Sequence, residues 1–261
     1  MGFVPSRDTN QIQLSADRIA HHLSKKTGYR IRALTVTNYA AIVLGMSNKT
    51  IDIGFVGPLG YILGHKKTGA YPITASVRDG KKGYSGIMIV REDSGITDLE
   101  HLKGKTIALG DPLSASSNLY PKFAMFNAGV DPQKDVRART LSSASAVVMS
   151  VAQGQVDAGA IYLDARENPE VVARFPKIMD ETRVILMTET IPADPQIVRK
   201  DLNPGQVQAL KTALLELSSD DEGKKWLQEL FGIDSLAPAD DADYDGLRRV
   251  VRKVNPMLLN P

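Results

Sequence analysis

The sequence predicts a two-lobed α/β protein in which each lobe is a mostly parallel sheet flanked by helices. Three observations carry that expectation. Strand-length apolar runs alternate with helical patterns from the N-terminus to about residue 190, the alternation restarts at Tyr84 after Gly80-Lys81-Lys82-Gly83, and the last third loses its strands and reads as helix. A chain of 261 residues can bury two separate cores.

In order, Phe3-Val4-Pro5-Ser6 reads as the end of a first strand. The segment 11–26 places Ile12, Ala16, Ile19 and Leu23 on one helical face and ends at Gly28. A strand over 31–36 follows, then Asn38 as the cap of a helix over 39–46, a strand over 50–56 closed by Gly57-Pro58, a short helix to about His65, and a strand over 71–77. The second series opens with a strand over 84–90, a short helix over 98–102, a strand over 105–110 and a helix over 116–129. It continues with a strand over 136–141, a helix over 142–154 carrying Val147, Val148 and Val151, a strand over 156–161, a helix over 169–175 and a last run over 183–187. Asn203-Pro204 starts a helix with Val207, Leu210, Leu214 and Leu217 on one face, and 220–231 and 243–254 supply two more. No Gly/Ser-rich linker separates the halves. The chain is therefore expected to cross twice, near 82–84 and 188–192, making one lobe from 1–83 with 191–261 and the other from 84–190.

Composition excludes several function classes. The formal net charge is +2 with basic residues scattered, which argues against nucleic acid as a partner; the cluster Arg248, Arg249, Arg252 and Lys253 falls on a solvated helix face. There is no cysteine, and His21, His22, His65 and His101 lack metal-ligand spacing, so neither thiolate chemistry nor a metal site is expected. The apolar runs are strand-length and none would span a membrane. There is no Gly-x-Ser-x-Gly elbow and no Gly-x-x-x-x-Gly-Lys-Ser/Thr loop, which argues against an enzyme; Lys81-Lys82-Gly83 has the wrong order for a phosphate loop.

The most informative stretch is Asp111-Pro112-Leu113-Ser114-Ala115-Ser116-Ser117-Asn118, which joins a buried strand to a helix. The free N–H groups of a helix start, the positive end of its dipole and the serine hydroxyls together suit a small oxyanion without Lys or Arg. The same serines also read as a plain helix cap. Ser142, Ser143 and Ser145 pose the same pair of readings at the next helix start. Asp111 and Asp157 could each accept from a protonated oxyanion, and would then discriminate against sulfate. A turn at Asp111 and a structural hydrogen-bond acceptor at Asp157 are the favoured readings of these two.

Further landmarks lie along nearly the whole chain: Gly2-Phe3-Val4-Pro5, Asn38-Tyr39-Ala40-Ala41, Ile51-Asp52-Ile53-Gly54-Phe55-Val56-Gly57-Pro58, Tyr84-Ser85-Gly86-Ile87-Met88-Ile89-Val90, Val151-Ala152-Gln153-Gly154-Gln155-Val156-Asp157-Ala158-Gly159 and Ile191-Pro192-Ala193-Asp194-Pro195. In this order, and with the serine stretch among them, they resemble the periplasmic solute-binding proteins of phosphate, phosphite and phosphonate ABC importers. The resemblance implies a type II periplasmic-binding-protein clamshell with its ligand cleft between the lobes. It implies an extracytoplasmic monomer without cofactor that closes on a small oxyanion and hands it to a membrane permease. Ser114 and Ser116 match two members of the family's Ser-Thr-Ser cradle, while Ala115 takes the place of the Thr and offers only its backbone N–H. Tyr39 and Tyr84 match tyrosines facing the ligand. Ala144 and Ser145 stand where the family often has His-Asp. The implied ligand-binding set is Tyr39, Tyr84, Ser114, Ala115, Ser116, Ser145 and Asp157. The alternative is a sensing module or periplasmic partner of a membrane sensor kinase, for another oxyanion such as an arsenic species.

Overall fold

The computed structural model describes residues 1–4 and 9–254 and the side chains outside 5–11 and 255–261; Pro5 and Ser6 of the first predicted strand, and the end of the first predicted lobe, lie outside the described residues. The chain opens with β1 (Gly2–Phe3), α1 (Thr9–Thr27), β2 (Leu34–Thr35), α2 (Tyr39–Ser47), β3 (Ile53–Phe55), α3 (Pro58–Thr68) and β4 (Tyr71–Val77). Local chemistry sets these boundaries: the Asn38 side chain accepts the Ala41 N–H at 2.9 Å at the start of α2, and Pro58 begins α3, where a missing N–H costs nothing. Next come β5 (Gly83–Tyr84), β6 (Gly86–Arg91), β7 (Thr106–Leu109), α4 (Tyr120–Asn127), β8 (Arg137–Thr140), α5 (Ala144–Ala152), β9 (Ala158–Tyr162), α6 (Pro169–Arg174), α7 (Ile178–Glu181) and β10 (Thr182–Met187). The last part holds β11 (Ile191–Pro192), β12 (Pro195–Val198), α8 (Pro204–Leu217), α9 (Asp221–Phe231), β13 (Ser235–Pro238) and α10 (Asp245–Val254).

The chain divides into two compact units, one containing Met1–Gly83 and Pro192–Arg249, the other Tyr84–Ile191 and residues 250–254, so Ile191 and the end of the last helix group with the second unit and not with the first lobe as expected. The two connecting segments, β5 and β11, pair with each other as a two-stranded ribbon.

In the first unit the strand order is β13-β4-β12-β3-β1-β2. β1 is parallel to β2 and β3, while β12 is antiparallel to both β3 and β4, so β1 to β4 all run the same way and β12 is inserted against them. α1, α8 and α9 cover one face, where Ile12, Ile19, Leu23, Leu214 and Leu227 are fully buried with Phe3. The Phe3 and Phe55 rings stack there at 4.7 Å. The predicted helix over 243–254 begins at Asp245 and is preceded by a 3-10 turn, Asp241–Tyr244. That turn is anchored on α3: Tyr61 donates to the Asp241 carboxylate, which Arg248 also holds, and the Tyr61 and Tyr244 rings meet edge to face at 4.7 Å. The Tyr244 hydroxyl donates to the Ala193 carbonyl at 3.1 Å.

In the second unit the order is β10-β6-β9-β7-β8, with β7, β8 and β9 parallel and β6 antiparallel to β9 and β10. Four of the five strands thus point one way, and the parallel preference read from the sequence is kept. β6 is buried on both faces: Ile87 and Ile89 pack with Val147, Val148 and Val151 of α5, whereas Met88 and Val90 pack with Leu102, Met125 and Val130.

Several strands depart from the sequence reading. The predicted strand over 84–90 is interrupted at Ser85, giving β5 and β6. The predicted strand over 31–36 shortens to Leu34–Thr35, because it lies at the edge of its sheet against a partner of two residues. β12 and β13 were not predicted as strands; each is four residues long and has a proline at one end, which removes a ladder donor and blurs the local signal.

Candidate functional site

The C-terminal ends of β7, β8, β9 and β10 and the start of β6 share one edge of the second unit's sheet. Carboxyl ends of parallel strands, where helices begin, are where open α/β sheets bind ligands. At this edge the chain leaves β7 through Gly110 and turns at Asp111, whose carboxylate accepts the Leu113 N–H at 2.7 Å and whose carbonyl accepts the Ser114 N–H at 2.8 Å. Asp111 is thereby built into a turn, the reading favoured from the sequence.

The helix expected from Ser116 starts one residue earlier and starts differently. Ser114 is its N-cap, residues Ala115–Leu119 form a π-helical turn, and α4 continues from Tyr120. The Leu119 N–H reaches back to the Ser114 carbonyl at 3.1 Å, one residue further than in an α-turn, leaving the N–H groups of Ala115 and Ser116 ahead of the first intrahelical bond. Ser114 is half-buried, and Ala115, Ser116 and Ser117 are buried. The Ser114 hydroxyl accepts from the Ser117 N–H at 3.2 Å and from the Ser117 hydroxyl at 2.7 Å. Together these groups make a donor-rich helix start suited to an anion.

Two glycines seat the turn against the sheet. A side chain at Gly86 would put its Cβ 2.5 Å from the Ser116 carbonyl oxygen and 3.0 Å from the Ser116 Cα, and one at Gly110 would overlap the Ser117 hydroxyl. Gly86 is fixed from the other side by Thr188, whose hydroxyl accepts its N–H at 2.9 Å while its carbonyl accepts the Thr188 N–H at 2.9 Å. The Asn118 amide donates to the Gly110 carbonyl at 3.1 Å, closing the loop on itself. Tyr120 follows the turn, and burial with the nearby Glu189 carboxylate pushes its phenol up to about 12, so it stays a neutral donor.

Tyr84, in β5, is half-buried and stands two residues before Gly86 on this same edge. The structure therefore brings Tyr84, Ser114, Ala115 and Ser116 to one edge of the second unit. Ser145 is at that edge too, in the first turn of α5, which Ser143 caps by accepting the Ala146 N–H at 3.1 Å. Its hydroxyl, however, donates to Glu170 at 2.6 Å and accepts from Asn168 at 3.0 Å, and Asn168 in turn accepts from the Tyr162 hydroxyl at 2.8 Å. The Ser145 proton is thus spent inside the unit. Asp157 is not brought to the site. It precedes β9, at the N-terminal ends of the parallel strands, and its carboxylate accepts the Thr106 N–H at 2.8 Å at the start of β7.

In the first unit the matching edge holds the C-terminal ends of β1 to β4. Tyr39 opens α2 there, with its ring against Gly57 and Gly60 at the start of α3. Asp194 lies on this edge as well, its carboxylate 3.1 Å from Arg78, its carbonyl accepting the Ser76 N–H at 3.0 Å. The buried Gln196 side chain, which accepts from Thr74 at 2.8 Å and donates to Ser76 at 3.2 Å, stiffens that stretch.

Sequence reasoning missed Ser117, Gly110 and Gly86. The serine run was visible, but the close approach of Gly86 to Ser116 and of Gly110 to Ser117 depends on how the turn folds back on itself and onto the sheet. Among the described residues no group of three or more His, Asp or Glu could hold a metal ion, and no helix is long and apolar enough to cross a membrane.

Comparison with known proteins agrees with this architecture. A family model described as the periplasmic substrate-binding protein of a phosphonate ABC transporter matches residues 1–244. The phosphate-import protein PhnD of Mycolicibacterium smegmatis is 25% identical over 272 residues, covering 95% of this chain and 83% of that protein. The crystal structure of a binding protein component of an ABC phosphonate transporter from Pseudomonas aeruginosa superimposes with a TM-score of 0.84 at 26% identity, covering 95% of this chain and 83% of that one. The structure of PhnD1 from Prochlorococcus marinus in complex with methylphosphonate shares the fold with a TM-score of 0.85 at 23% identity, covering 97% of both chains.

Proposed function

This chain belongs to the periplasmic substrate-binding proteins of phosphonate ABC transporters, and from that membership we propose that it captures a small phosphorus oxyanion of the phosphite, phosphonate or phosphate class and delivers it to a membrane permease. The observation that carries the reading is the π-helical turn after β7, where the Ser114 hydroxyl and the N–H groups of Ala115 and Ser116 stand at the carboxyl edge of the parallel strands. The ligand set we propose on the second unit is Ser114, Ala115 and Ser116 with Tyr84; Tyr39, which the family resemblance adds, stands at the carboxyl edge of the first unit's own sheet. Ser145 and Asp157 serve the protein's own hydrogen bonding in this reading.

The task is binding, not turnover. The group bonded to the Ser114 oxygen is another serine, which has no capacity to take up its proton at neutral pH, so the hydroxyl is a hydrogen-bond donor and not a nucleophile. Affinity from these groups is reasonable, because helix-start N–H groups and hydroxyls aimed at a charged oxygen form charge-assisted hydrogen bonds.

The test is calorimetric titration of protein unfolded and refolded to strip carried-over ligand, against phosphite, methylphosphonate, aminoethylphosphonate, phosphate, arsenate and sulfate at one pH. Saturable one-site binding to a phosphorus oxyanion, lost in a Ser114→Ala/Ser116→Ala double variant, supports the reading. Binding that survives the double variant, or no binding to any phosphorus oxyanion, refutes it.

A further inference from the structure

We propose that Ser117 is a positioning residue for the ligand, acting through Ser114 by forcing its hydroxyl to meet the ligand as a proton donor only. This rests on the oxyanion-binding reading above. A serine hydroxyl has one proton and two acceptor lone pairs. At Ser114 both lone pairs are occupied by the same neighbour, the Ser117 N–H at 3.2 Å and the Ser117 hydroxyl at 2.7 Å. With both Ser117 groups donating to it, the Ser114 oxygen is left with its own O–H to offer, directed away from Ser117.

The sheet enforces this arrangement. Ser117 is buried, its hydroxyl lies in the space left by the missing side chain of Gly110, and its carbonyl accepts the Gly110 N–H at 3.0 Å. The backbone bond fixes where the Ser117 side chain starts, and the Gly110 Cα leaves it room to reach Ser114. A freely rotating hydroxyl would lose orientational entropy on binding and could present a lone pair to a ligand oxygen. One whose acceptor sites are filled beforehand is already aligned. The consequence is selective as well as energetic: the ligand atom facing Ser114 must be an acceptor, as an unprotonated oxyanion oxygen is and a P–OH proton is not.

A double-mutant cycle on ligand affinity separates this role from a packing role. Methylphosphonate, or whichever phosphorus oxyanion the unmodified protein binds, is titrated into the unmodified protein, Ser114→Ala, Ser117→Ala and the double variant. Loss of one hydrogen bond to a charged oxygen weakens binding by about 10- to 100-fold in Ser114→Ala. Ser117→Ala alone weakens it by about 3- to 10-fold, and in the Ser114→Ala background it changes affinity by less than about twofold, because there is no longer a hydroxyl to orient. Gly110→Ala, which displaces the Ser117 hydroxyl without removing it, gives the same pattern and serves if Ser117→Ala folds poorly. An equal loss from Ser117→Ala in both backgrounds, or no loss in either, overturns the assignment while leaving oxyanion binding intact. Failure of the unmodified protein to bind any phosphorus oxyanion overturns the binding reading itself, and this assignment with it.

Discussion

Gly86→Ala is the perturbation whose outcome the geometry determines most narrowly. The added Cβ would lie 2.5 Å from the Ser116 carbonyl oxygen, 3.0 Å from its Cα and 3.1 Å from its carbonyl carbon. All three are backbone atoms, so no rotamer change relieves the overlap. To reach ordinary contact at 3.4 Å, β6 and the π turn must separate by about 0.9 Å at the oxygen. Thr188 bonds Gly86 at both its N–H and its carbonyl, which makes the serine turn the side that yields. Overpacking of this kind costs roughly 1–3 kcal/mol. At about 2–4 °C per kcal/mol for a chain of this size, the melting temperature should fall by roughly 2–12 °C. A shift of several tenths of an ångström also stretches a hydrogen bond of about 2.9 Å toward the limit of bonding, so affinity should fall by about tenfold or more. Thermal melting and calorimetric titration with methylphosphonate read the two effects. A Gly86→Ala protein that melts within about 1 °C of the unmodified chain and binds with undiminished affinity would refute the claim that close approach of these two segments shapes the site.

Two further predictions concern parts of the chain on which the ligand does not depend directly. Ser145→Ala should lower stability by roughly 1–3 kcal/mol, since it leaves Glu170 and Asn168 each short of a buried partner, and should change ligand affinity by less than about threefold. Urea unfolding and titration check this, and a tenfold or greater loss of affinity would return Ser145 to the ligand set. For Asp241, burial by itself would raise the pKa, but hydrogen bonds from Tyr61 and Arg248 outweigh it and hold the carboxyl below its ordinary 3.8. A depressed carboxylate contributes stability that is fully present above 3.8 and is lost as pH falls through the lower folded value. Unfolding free energy measured from pH 5 down to pH 2 should therefore decline less steeply in Asp241→Asn than in the unmodified chain, and identical slopes would contradict it.

Much of this architecture was written locally. Asn38 ahead of Tyr39, Asn203-Pro204, the strand-length run over 71–77 and the apolar face of Ile12, Ala16, Ile19 and Leu23 all specify their elements by short-range chemistry, and the structure places them accordingly. The serine-bearing junction was legible for the same reason: a strand followed by small hydroxyl residues and a helix is a local signal. The π turn was not, because it packs against Gly86 of a different strand and folds back onto Gly110, contacts that only the folded chain shows. Ser145 could not be resolved from sequence because its partners, Asn168 and Glu170, lie 23 and 25 residues downstream. Asp157 is a different case. In parallel strands a residue that precedes β9 and a residue that follows β7 must stand at opposite ends of the sheet, so strand direction alone separates Asp157 from Ser114.

The central claim is that Ser114, Ala115 and Ser116 hold a phosphorus oxyanion, and a crystal structure of the protein with methylphosphonate tests it most directly. The account predicts phosphonate oxygens about 2.6–3.1 Å from the Ser114 hydroxyl and from the N–H groups of Ala115 and Ser116, with the Ser117 hydroxyl still on Ser114. A phosphonate bound elsewhere, with those donors untouched, would contradict it.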